Sequence, residues 1–162
     1  ITDGQIFLDT DLFNQGYRPA VNVGISVSRV GGNAQLRAMK QVAGTLKIDQ
    51  AQYRELESFS RFGGDMDPMT TRMLDKGQKN SRLLIQKQYG PLPVGKQIAL
   101  LYCGVHGLLS RVSLDKISVF EEKFLQVLET SYRDKVLVPL NRGEIDPQIE
   151  SIIESVAEQI AG

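Results

Sequence analysis

The sequence predicts a mainly α protein, a helical bundle preceded by a short segment of strands and turns. Apolar residues recur at helical spacing through most of residues 33–162. Residues 1–32 instead mix β-branched residues with frequent glycines, and Gly/Pro punctuation separates the later stripes from one another. The division predicts two units, 1–32 and 33–162.

Taken in order, Gln5–Leu8 has the composition of a short strand, and Asp9–Gln15 suits one or two helical turns ended by Gly16. Val21–Val30 alternates small, polar and β-branched residues and closes on Gly31 and Gly32. About thirty residues with two or three strands cannot enclose a core of their own. This segment is therefore expected to complete a sheet whose other strands lie elsewhere. Asn33 is an expected N-cap for a helix over Ala34–Leu46. A second helix is expected over Asp49–Phe62, with Tyr53, Leu56 and Phe59 on one face and Gly63 and Gly64 ending it. Asp67–Lys76 starts another, with Pro68 at a tolerated first position, and Gln78–Gln86 reads as a further short helix. The QYGPLP run at 88–93 is a loop, because proline constrains both itself and its predecessor. Val94, Ile98, Leu101, Tyr102, Val105 and Leu109 then share a helical face. Ile117, Phe120, Phe124, Val127 and Leu128 make the next, and Ile149, Ile152, Ile153, Val156 and Ile160 the last, after an Asp146-Pro147 start. Such stripes are core, and no cofactor box is read into them.

The 162 residues are 41% hydrophobic and 23% charged, ordinary for a globular chain with a real core. Lys+Arg and Asp+Glu both number 19, so charge gives no reason to expect nucleic acid or an anionic membrane surface as partner. No stretch reaches the ~18 apolar residues of a spanning helix. The chain opens at Ile1, without an initiator methionine or leader, directly in strand-like sequence, so it is expected to be a piece of a longer polypeptide. A single cysteine, Cys103, excludes an internal disulfide and reads as a buried small hydrophobe. The one histidine, His106, lies three positions on, which leaves a Cys–His pair open.

Most catalytic signatures are missing: no phosphate-loop sequence, no Gly-x-Ser-x-Gly elbow, and too few His and Cys for a zinc site. No metal ligands are expected. The carboxylate pairs Asp65/Asp67 and Glu121/Glu122 read as solvated surface, with no burial to raise either partner. The segment NVGISVSRVGG at 22–32 differs in placing Arg29 between a β-like run and two glycines, which permit close approach of a ligand or neighbouring chain. Arginine keeps its charge and offers a planar fork suited to phosphate oxygens. On chemistry alone, Arg29 is either such a contact or a salt-bridging arginine at a strand end.

The blocks ITDGQIFL, LFNQGYRPAVNVGISVSRVGG, AMKQVAGTL and AQYREL closely resemble consecutive blocks of F-type ATP synthase alpha subunits. The likeness is strongest over residues 1–60, continues through Gln86 to Tyr89, weakens toward the C-terminus and covers the chain in order. The resemblance implies that residues 1–32 are the C-terminal edge of a RecA-like α/β nucleotide-binding domain and that 33–162 form the helical C-terminal domain. It implies ATP or ADP as ligand, with Mg2+ held by residues outside this chain. The implied partners are the upstream portion of the alpha subunit, beta subunits in an alternating hexameric ring, and the gamma subunit of the central stalk. Membrane contact would come only through the assembled complex.

Carried over from the family, Arg29 is the catalytic residue, an arginine finger reaching nucleotide phosphates on the neighbouring beta subunit. Ser26 and Ser28 shape its strand. The adenine end of the non-catalytic site would comprise Phe13, Arg18 and Pro19 on one side, with Gln86 and Gln88 on the other. An aromatic ring, a proline face and amides suit a purine; the plainer alternative makes Phe13 core and the glutamines loop residues. The 59–67 loop corresponds to the tip nearest the stalk, or is a solvated hairpin. Tyr17 stands where the family commonly has a branched aliphatic residue, and His106 where it often has arginine. The implied activity is ATP synthesis or hydrolysis coupled to proton transport, with the isolated chain inactive. The expected location is the matrix face of the mitochondrial inner membrane, bacterial and plastid membranes being alternatives. The competing readings are a non-catalytic helical adaptor and a subunit of a related ring ATPase.

Overall fold

A computed structural model describes residues 3–60 and 66–162. Its first part is a folded-back arm. Strand β1 (Gly4–Gln5) pairs antiparallel with β2 (Val27–Ser28), Gly4 opposite Ser28 and Gln5 opposite Val27. A further bridge joins Leu8 to Val21. Between them, Asp9 caps helix α1 (Thr10–Asn14), its carboxylate accepting from the N–H groups of Asp11 and Leu12 at 2.9 and 3.4 Å. Gly16, with φ of +88°, turns the chain in a conformation glycine adopts freely.

The strand expected over 21–30 is realised only at Val27–Ser28. A strand exists where a neighbour pairs with it, and among the described residues β1 reaches no further. Ser28 then caps helix α2 (Arg29–Ala34) by accepting from the Gly31 N–H at 3.0 Å. Gly31 and Gly32 therefore lie inside a helical turn, and Asn33 is within α2 rather than capping the next helix.

Helix α3 runs unbroken over Arg37–Ser60, where the sequence suggested two helices. Lys47 and Ile48, between the two expected segments, contain no breaker, and Gly44 is tolerated at modest cost. Helix α4 (Pro68–Leu83) likewise merges two expected pieces. Its Gly77 is no breaker: a Cβ there would overlap the Tyr53 ring of α3, so the glycine allows the two helices to approach. Asp67 caps α4 through the N–H groups of Met69 and Thr70, at 2.8 and 3.0 Å, with Pro68 in the first turn.

Helix α5 (Val94–Val105) is the bundle's centre, packed against α3 and α4. Ile98, Ala99 and Cys103 on it are fully buried. It stops at His106, before Gly107 at φ +71°, so Leu109 is buried from the following turn rather than from the helix itself. Helix α6 (Ile117–Ser131) follows a 3₁₀ turn at Leu114–Lys116. A π-helical turn at Arg133–Leu137 leads into α7 (Val138–Asn141), which takes Pro139 in its first turn. Asp146 caps α8 (Pro147–Ala161) by accepting from the Ile149 N–H at 2.8 Å.

The apolar stripes of α5, α6 and α8 meet as expected, with Phe124, Leu128 and Ile153 sealed from solvent. Polar contacts also tie α5 to its neighbours, among them an ion pair of Lys96 with Glu129 of α6 at 2.8 Å. The Gly95 N–H donates to Asn141 Oδ1 at 2.8 Å, and the Tyr102 hydroxyl to Glu154 at 2.9 Å. No helix among the described residues is long and apolar enough to cross a membrane.

Candidate functional site

The arm closes on the bundle at one seam. Past α4 the chain turns so that the Gln86 N–H donates to the Arg18 carbonyl at 2.8 Å. Beside this bond lies a cavity of about 170 Å³, with Arg18, Pro19 and Asn22 on the arm side and Arg54, Ser81 and Gln86 on the bundle side. Its floor is rigid. Gln50 donates to the Gly77 carbonyl at 3.1 Å, and Ser81 Oγ lies 2.9 Å from both that carbonyl and Gln50 Oε1. Gln50 and Ser81 are themselves buried, so this polar group is satisfied away from water.

The five residues assigned by resemblance to an adenine end divide unevenly around this cavity. Arg18, Pro19 and Gln86 line it. Phe13 stands outside, half exposed, with the Arg18 guanidinium 4.3 Å above its ring. Gln88 is exposed in the loop beyond and does not line the cavity. The side-chain amide of Gln86 hydrogen-bonds to nothing among the described residues. The volume falls below the ~300 Å³ at which pockets for whole small molecules begin. It suits one part of a larger ligand, such as a base.

Arg29 occupies the first turn of α2, directly after β2. Its side chain is 81% exposed. Nε and Nη2 both reach Asp3 Oδ1, at 3.0 and 2.9 Å, while Asp3 Oδ2 accepts from the Val30 N–H at 2.7 Å. One carboxylate thus fixes both the arginine and the helix start behind it. Ser26 Oγ accepts from the Phe7 N–H at 3.0 Å and donates to the Asn22 carbonyl at 2.6 Å, so both it and the cap Ser28 are engaged with backbone.

Elsewhere the structure narrows the field. Burial pushes the Cys103 thiol far up, away from thiolate formation. His106 is exposed and stacks on Tyr102, ring centroids 3.9 Å apart. Glu121 corrects the expectation of two solvated carboxylates. Partial burial, and then repulsion from Glu122, push it up to about 7, against a weaker opposing pull from Lys87. Asp67 is exposed, as expected, and serves as a cap; Asp65 and most of the 59–67 loop lie outside the described residues, while Phe59 at the end of α3 is exposed.

Sequence reasoning missed Tyr17. Its ring faces Arg54 of α3 and Arg82 of α4, guanidinium carbons 5.5 and 5.7 Å from the centroid. These partners lie far along the chain, and only the departure from an aliphatic residue at position 17 hinted at them.

A family model described as ATP synthase alpha/beta chain, C terminal domain, matches residues 35–160. The chain belongs to this family. Over 160 residues it is 66% identical to ATP synthase subunit alpha of Parabacteroides distasonis, an alignment covering 99% of this chain and 30% of that protein. The subunit alpha of Phocaeicola vulgatus is 61% identical over 161 residues, again 99% of this chain and 30% of the relative. That of Flavobacterium johnsoniae is 51% identical with the same coverage. The chain thus spans about 30% of the length of these relatives and corresponds to their C-terminal part. As a member of this family it is the helical C-terminal portion of an alpha subunit, mainly α with a small two-stranded sheet. These relatives are bacterial, so the mitochondrial expectation finds no support among them.

Proposed function

We propose that this chain works within the alpha subunit of a rotary F-type ATP synthase, with Arg29 acting on a nucleotide held by a neighbouring beta subunit. The observation that carries the reading is the placement of Arg29. It is an exposed guanidinium at the head of a helix, beside two glycines, held by a single carboxylate that a phosphate can replace. The likeness to alpha subunits supports it, because that likeness extends through the SRVGG block.

The bound nucleotide supplies the phosphoanhydride that is made or broken. The part of Arg29 is to offset negative charge on the transferring group, an effect worth ~10³–10⁵ in rate for arginine fingers. The seam cavity takes the adenine end of a second, non-catalytic nucleotide. There Arg18 and Pro19 form a wall, and the Gln86 amide supplies a donor and an acceptor to the purine edge. The Mg2+ ligands and phosphate loops belong to residues outside this chain. Partners on this reading are the preceding part of the alpha subunit, the beta subunits and the gamma stalk, with proton flow coupled through the whole complex. The relatives favour a bacterial membrane, reached only through that complex. The chain by itself is expected to hydrolyse no ATP.

The test is Arg29→Ala in the purified complex. ATP turnover should drop by ~10³ or more while assembly and nucleotide binding persist, and Arg29→Lys should restore little because the fork is lost. Turnover within a few-fold of the parent would refute the assignment.

A further inference from the structure

Tyr17 joins the arm to both long helices of the bundle. Two guanidinium groups come within cation–π range of its ring, Arg54 of α3 at 5.5 Å and Arg82 of α4 at 5.7 Å from the centroid. Arg54 is also paired with Glu57 at 3.1 Å and lies 5.7 Å from the Tyr53 ring. Arg82 is different: among the described residues no carboxylate pairs with it, and the Tyr17 ring is the one partner shown for its guanidinium. A ring face attracts a guanidinium electrostatically, as an aliphatic side chain of similar volume does not. Tyr17 also lines the seam cavity, immediately before Arg18 and Pro19, and Arg54 lines it from the opposite side. The clasp therefore bears on the same wall that would receive a purine.

We infer that Tyr17 is a positioning residue for purine binding: gripped by Arg54 and Arg82, it holds the Arg18–Pro19 wall at a fixed distance from the Gln86 side of the cavity. The inference rests on the adenine reading of that cavity. It adds that Arg82, which does not line the cavity, bears on base affinity through Tyr17. The hydroxyl of Tyr17 has no part in this, so the aromatic face alone is required.

The experiment uses the full-length subunit in its native complex, depleted of nucleotide and titrated with ATP at the non-catalytic sites. Tyr17→Phe should bind within about twofold of the parent, and Tyr17→Leu about tenfold more weakly, as for loss of a partly desolvated cation–π contact. Arg82→Gln should weaken binding in the same direction. The double variant Tyr17→Leu/Arg82→Gln should be no weaker than Tyr17→Leu alone, because both changes remove one interaction. Gln86→Ala is the reference arm, expected to weaken binding by losing its own contact. If Gln86→Ala weakens binding and Tyr17→Leu does not, the clasp is refuted and the cavity reading stands. Strictly additive losses in the double variant, or a Tyr17→Phe as weak as Tyr17→Leu, also overturn it. An unchanged Gln86→Ala overturns the cavity reading, and this inference with it.

Discussion

In the bundle, Phe124, Ile98 and Leu128 are sealed from solvent by their own chain, whereas in the arm Ile6, Leu8 and Val30 stand 68%, 74% and 63% exposed. Both regions are rich in apolar residues, yet the bundle encloses most of its own and the arm buries only Leu12 and Ala20 among its described residues. The bundle has helices enough to surround α5 on several sides. The arm has two strands of two residues each, too little to cover anything. Apolar side chains left exposed by so small a unit are expected to meet another surface, and the proposed chemistry lies in the arm or on its seam with the bundle. Buried residues of the bundle are accordingly expected to govern stability, and exposed residues of the arm to govern interactions.

Four substitutions would break or sharpen that contrast. Phe124→Ala in α6 should have the largest effect. It removes a fully buried ring, and a loss of ~3–5 kcal/mol is expected in denaturant unfolding of the chain. Gly77→Ala comes next: the new methyl group would overlap the Tyr53 ring and force α3 and α4 apart, at about 1–3 kcal/mol. A melting temperature equal to the parent's would show that this glycine is not needed for packing.

Glu121 gives a pH signature within the bundle. Its carboxyl is raised from about 4.5 to about 7, so the folded chain holds a proton that the unfolded chain has already released. Its penalty is absent below pH ~4.5, grows as pH rises and is complete above ~7. Glu121→Gln should therefore stabilise the fold above pH 7, by ~1–2 kcal/mol once solvent screening is allowed for, and have little effect near pH 4. Equal melting temperatures of parent and variant at pH 8 would contradict the burial argument. The smallest effect is expected from Val30→Ser in the arm, within ~0.5 kcal/mol for the chain alone because that side chain packs on little. A loss of several kcal/mol there would mean that the arm contributes to the core after all.

Much of the bundle was legible in the sequence because its signals are local. Asp67-Pro68 and Asp146-Pro147 mark helix starts, and the stripes through Phe120, Phe124 and Leu128 or Ile149, Ile153 and Val156 mark buried faces. The errors came where a local signal had a non-local cause. The helices expected on either side of Gly77 are one helix, with Tyr53 packed against the glycine, and Asn33, expected to cap the next helix, lies inside α2, which Ser28 caps. Glu121 looked solvated because its burial depends on tertiary packing rather than its neighbours in sequence. For the candidate site, pattern alone left Arg29 undecided between a phosphate contact and a salt bridge. The convergence of Arg18 and Pro19 with Gln86 could be anticipated only through family resemblance, since a backbone hydrogen bond across the seam has no sequence signature. The grip of Arg54 and Arg82 on Tyr17 had none either.

The most direct test of the whole account is a structure of the assembled complex with nucleotide bound. The Arg29 guanidinium should there have left Asp3 and lie within hydrogen-bond distance of a phosphate oxygen on the adjoining subunit. Arg29 still paired with Asp3 and turned from every bound nucleotide would contradict the proposed mechanism, whatever family the chain belongs to.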